Sequence, residues 1–92
     1  MATTISSIRD QQVEALRNEA TQAGDDVMWC IATVALEGWS EGVPEAARYE
    51  DRFGGGGHDL SAADRKRISR MTQLDALAEC VRVISDAEAA AQ

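Results

Sequence analysis

The chain has 92 residues, a formal charge of −7, 45% hydrophobic residues and 27% charged residues, a length that supports one core and no second domain. Its apolar content excludes a disordered tail, and its negative balance argues against nonspecific binding to nucleic acid or acidic membranes, which requires a basic footprint. A single domain over residues 1–92 is expected, drawn to a basic partner by an attraction that salt screens.

Hydroxyl residues at Thr4, Ser6 and Ser7 accompany Ile5, Ile8, Val13, Leu16, Ala20 and Ala23, whose helical spacing predicts a first helix. Gly24 can take the left-handed conformation that ends a helix and Asp25 can cap the next, so a tight hairpin is expected there. The stretch DDVMWCIATVALEG is apolar nearly all round from Val27 to Leu36, as a central core helix should be, and Gly38 is its expected stop.

From Trp39 to Leu60 the pattern changes to WSEGVPEAARYEDRFGGGGHDL, with five of the seven glycines and the only proline. Pro44 suits the first position of a short helix running towards Phe53, and Gly54 to Gly57 predict a mobile loop. Ser61 with Asp64, and Thr72 with Asp75, have the spacing of helix caps. The last helix presents Leu74, Leu77, Val81 and Ile84 at three- and four-residue steps, with Ala78 between them. Ile68 and Met71 continue this stripe, so segments 61–71 and 73–90 read equally well as one helix or two. The expected fold is all-α: a small bundle of four to five helices with a glycine-rich loop, in which the first, second and last helices form the core. A second copy could cover helix faces left open, so a homodimer is one expectation.

The only histidine, His58, lies in GGGGHD, where a flexible loop is a poor mount for a general base. Cys30 and Cys80 have no neighbour suited to activate a thiol and sit in apolar segments, where cysteine acts as a small hydrophobe and no disulfide is expected. No CxxC or HxxxH pairing predicts a metal site, and the glycines lack the GKS or GKT and the preceding strand of a phosphate loop. We therefore expect no enzymatic activity, no metal and no cofactor. The opening MATTISSIRDQQ has neither a basic n-region nor an apolar h-region, and no stretch approaches the length of a membrane span, so a cytoplasmic protein is expected.

Binding is the remaining reading. Glu41, Glu45, Glu50 and Asp51 make an acidic strip beside Tyr49 and Phe53, and aromatics and arginines supply most interface hot spots. The expected partner-binding set is Trp39, Glu41, Arg48, Tyr49, Asp51, Arg52 and Phe53, against the simpler alternative that Trp39 and Phe53 cap the core. Trp29 reads as core. Arg65, Lys66, Arg67 and Arg70 form the one basic cluster; it is either a solvated face or, with the turn and helix that follow, an echo of a helix-turn-helix that could touch phosphates.

VEALRNEATQAGDDVMWCIATVAL, from Val13 to Leu36, and LAECVRVISDAEA, from Leu77 to Ala89, resemble a recurring type of small phage and mobile-element protein: two helices meet at an AGD turn, and a closing helix carries AEC-x-RVI-x-DAEA. Some acidic helical proteins of this kind look like anti-CRISPR inhibitors of type I surveillance complexes. The resemblance implies a protein of the bacterial host cytoplasm that binds a CRISPR surveillance complex and blocks its target-DNA path, where basic residues grip the nucleic acid. It covers a little over a third of the chain, and Trp39 to Gln73 departs from the shorter pattern. The alternative function is a small dimeric DNA-binding regulator using the basic helix 61–71.

Overall fold

A computed structural model of the chain describes residues 5–55, 58 and 60–91. It is all-α, with five helices and no strand among the described residues: α1 Ile5–Ala23, α2 Asp26–Glu37, a 3-10 turn Glu45–Ala47 leading into α3 Arg48–Phe53, α4 Ala62–Arg70, and α5 Gln73–Ala90. Among the described residues, no helix is long and apolar enough to cross a membrane.

Local chemistry explains the helix ends. Gly24 turns the chain at φ +70°, and the Asp25 carboxylate accepts a hydrogen bond from the Met28 amide (3.1 Å), capping α2. Pro44 stands one step before the 3-10 turn, in extended backbone (ψ 147°), and thus precedes the first turn that it was expected to occupy. Ser61 caps α4 by accepting from Asp64 N (3.1 Å). Thr72 and Asp75 form a complete capping box, each side chain bonding the other's backbone amide at 3.0 Å. That box, with Met71 extended at ψ 132°, breaks 61–90 into two separate helices.

α2 is the central element. Cys30 to Ala35 are all buried, and Thr33 tolerates burial because its hydroxyl donates to the Trp29 carbonyl (2.8 Å). α1 packs on α2 through Val13 and Ala20, α5 through Ala76 and Cys80, and α1 and α5 also touch each other. The buried face of α5 therefore differs from the expected stripe. Small residues make the α2 contact, Leu77, Val81 and Ile84 sit half-buried at its flanks, Ala78 is exposed, and Leu74 is 76% exposed. Small side chains let two helix axes approach closely, which moves the larger ones to the margins.

Gln73 Nε2 donates to the Ala35 carbonyl (3.1 Å), so α5 starts where α2 ends and runs back along it. Trp39 Nε1 donates to the Met71 carbonyl (2.8 Å), tying the α2–α3 connection to the α4–α5 junction. Gly38, the stop of α2, holds φ +69° and ψ −164°, and a Cβ there would stand 3.2 Å from Gln73 Oε1. That conformation is essentially reserved for glycine. Gly38→Ala is expected to lower the unfolding free energy by about 2 kcal/mol in urea titration, and Gly42→Ala, at φ +80° with open space around it, by less.

Candidate interaction surface

The segment from Trp39 to Phe53 turns its rings inward. Tyr49 and Phe53 are each only 3% exposed. Phe53 lies 5.4 Å from Tyr49, 5.8 Å from Trp39, 6.1 Å from Trp29 and 5.8 Å from His58 between ring centroids, in edge and tilted geometries favoured by ring quadrupoles. This corrects the expected partner-binding set: Tyr49 and Phe53 belong to the core, and Trp39 is half-buried with its indole N–H already bonded. α3 lies against α4 and the 3-10 turn, with Arg65 over the Tyr49 ring and Phe53 reaching Trp29 of α2, so both of its rings are enclosed. Its arginines are engaged too. Arg48 lies over the Trp39 ring (5.9 Å) and donates to the Ser69 carbonyl (3.4 Å), while Arg52 pairs with Glu37 at 2.5 Å. Glu37 also takes Arg17 at 2.9 Å, so one carboxylate at the end of α2 holds α1 and α3 together. Of the expected set, Glu41 and Asp51 face solvent.

The basic cluster is partly neutralised. Arg65 pairs with Glu50 (3.3 Å) and lies 5.3 Å over the Tyr49 ring, and Arg70 meets Glu45 at 3.9 Å. A cleft of about 500 Å³ between the 3-10 turn, α3 and α4 therefore has both signs of charge on its walls. Lys66 and Arg67 remain exposed. Two carboxylates beside the cations weigh against a phosphate-contacting face, since each would repel a phosphate.

Within the expected mobile loop, Gly56, Gly57 and Asp59 lie outside the described residues. His58 stacks on Trp29 at 4.8 Å with an interplanar angle of 25°, and Leu60 is buried, so the chain returns to the core at these two points.

The two cysteines are free, fully buried thiols. Burial pushes Cys30 up to about 12, with the Asp26 charge adding to the rise and the neighbouring Tyr49 hydroxyl opposing it. Burial, helped by Glu79, pushes Cys80 up to about 11. The Tyr49 phenol is also raised, first by burial and then by Cys30, and its hydroxyl finds no well-formed hydrogen bond among the described residues. Glu79 is held below the usual carboxylate range by the hydrogen bond from Arg82.

One surface was not anticipated. A groove of about 410 Å³ runs between α1 and α5, floored by Leu16, Val83, Ile84 and Ala87 and edged by Glu19 and Glu88. A second hollow of about 290 Å³ lies towards the other end of α1 and α5, lined by Leu36 of α2 together with Leu74, Leu77, Arg9 and Asp10. α1 and α5 both run against α2, so they lie parallel and end at the same pole, where α2 begins with Asp25 and Asp26. Neither α1 nor α5 has a basic residue in its last turn. The negative ends of two helix dipoles thus add to the carboxylates there. The available signals were the excess of apolar residues on α5 beyond one buried face and the two uncompensated helix ends.

Fold and surface together define a class, a small acidic helical bundle with an open apolar seam. Beyond that class, no family model, no curated protein and no solved structure matches the chain.

Proposed function

We propose that this chain is an inhibitory binding protein that docks on a basic protein surface of a bacterial CRISPR surveillance complex and obstructs its target-DNA path. The observation that carries this reading is the division of its charges. Arg17, Arg52, Arg65, Arg70 and Arg82 are held in intramolecular ion pairs, whereas Asp10, Glu19, Glu41, Asp51 and Glu88 are exposed and have no ion-pair partner among the described residues. At a net charge of −7 the chain thus offers a partner several unpaired carboxylates, against the exposed Lys66 and Arg67, and its natural complement is a groove of lysines and arginines built to hold DNA. The resemblance in Val13–Leu36 and Leu77–Ala89 supplies the target class.

The test is target-DNA binding by a purified type I surveillance complex, read by fluorescence anisotropy as the chain is added. DNA binding should fall with increasing chain, less so at high salt, and a variant with Glu41→Lys, Asp51→Lys and Glu88→Lys should require at least about tenfold more protein, equivalent to about 1.4 kcal/mol. Unchanged DNA binding at saturating chain would remove this reading. A direct, salt-sensitive shift of duplex DNA by the chain alone would instead favour the regulator that uses helix 61–71.

A further inference from the structure

The seam between α1 and α5 has a shape and charge that specify its occupant. On α1 it presents Gln12, Ala15, Leu16 and Glu19, and on α5 Leu74, Leu77, Ile84, Ala87 and Glu88, residues at three- and four-residue steps along two parallel helices. From Leu74 to Glu88 along α5 the two hollows together span about 21 Å at 1.5 Å per residue. α1, α2 and α5 are three members of a bundle, and the outer side of the α1–α5 seam is where a fourth helix would lie.

We propose that this seam docks a cationic amphipathic helix of the protein partner. The inference rests on the reading above that the chain acts by holding a basic protein, and it names the element that is held. The guest presents leucine-like side chains at i, i+3, i+4 and i+7 to Leu16, Leu77, Val83 and Ile84, and lysines or arginines on its flanks to Glu19 and Glu88. Its direction follows from the dipoles: the guest runs antiparallel to α1 and α5, placing its positive N-terminus at the pole where both of them end. A second copy of this chain is the poorer occupant. A two-fold axis along the seam would bring Glu19 and Glu88 of both copies together with the negative ends of four helices, and an axis across it would set those carboxylates against Arg9 and Asp10 of the other copy, whose charges cancel.

The probe is a fluorescein-labelled peptide of leucine and lysine, 18 residues long, with leucines at i, i+3, i+4 and i+7. It is titrated with the full chain and compared with a peptide of the same composition in shuffled order. The patterned peptide should bind at one per chain, gain helicity by circular dichroism, and bind at least tenfold tighter than the shuffled one. Ala87→Trp, at an exposed position that fills the groove without touching the core, should abolish the preference, and Glu19→Lys with Glu88→Lys should weaken binding at least tenfold. Both variants should keep the parent's urea midpoint. Equal binding of the two peptides, indifference to Ala87→Trp, or a dimer of the chain that Ala87→Trp dissociates in sedimentation would each overturn the assignment. The two proposals fail separately. Inhibition of the surveillance complex that survives Ala87→Trp would sink the groove alone, and peptide docking without inhibition would sink the complex alone.

Discussion

Phe53→Ala is expected to leave the domain at or below the threshold of stable folding. The ring is in contact range of four others and almost wholly buried, and truncating such a residue removes about 3–5 kcal/mol. A 92-residue domain has a total stability of only about 5–14 kcal/mol. The loss should appear as a collapsed urea midpoint and as loss of the near-ultraviolet dichroism of Trp29 and Trp39. Phe53→Leu should recover most of it. Leu74→Ala, at a large apolar side chain that is 76% exposed, should change stability by no more than about 0.5 kcal/mol. If Phe53→Ala unfolded with the parent's midpoint, the aromatic cluster would not be the keystone of the core. Lost binding in that variant would accordingly report unfolding and not a lost contact, so the interface is better probed at Glu41, Asp51, Glu19 and Glu88.

The second large effect is alkaline destabilisation. Cys30 and Cys80 are raised in the folded chain to about 12 and about 11, whereas an exposed thiol in the unfolded chain ionises near 8.5. Below that value both states hold the proton and the folded chain keeps its full stability. Above it the unfolded chain releases protons that the folded one retains, so stability falls as pH rises towards the folded values. Two thiols together should lower the unfolding free energy by about 4 kcal/mol between about pH 8 and about pH 10. Tyr49, shifted in the same direction, extends the fall to higher pH. Urea titrations across this range measure the slope, and Cys30→Ala with Cys80→Ala should flatten it. In the parent, a thiol reagent at neutral pH should find neither cysteine until the chain is unfolded. Rapid labelling of native protein, or a slope unchanged in the double variant, would contradict sealed thiols.

Helix boundaries were legible because they depend on groups three or four residues apart. Asp25 reaching Met28, Ser61 reaching Asp64 and the reciprocal Thr72–Asp75 pair form within a single turn whatever the rest of the chain does, and Gly24 and Gly38 supply a backbone conformation that other residues resist. The core role of α2 was equally plain, because an apolar surface on every side admits no exposed face. By themselves, then, residues 1–92 determined an all-α chain, its helix ends, its central helix and its acidic balance. The tertiary structure alone decided which way the Trp39–Phe53 segment faces. Aromatic and charged residues alternate within α3 so closely that the same pattern suits an interface or a core, and the choice depends on Glu37, Ser69 and Met71, 15 to 32 residues away. The open seam came from the same source. Ala76 and Cys80, and not the leucines, met α2, because close axis packing favours small side chains, and the larger apolar groups displaced from that contact became the surface on which the proposed docking depends.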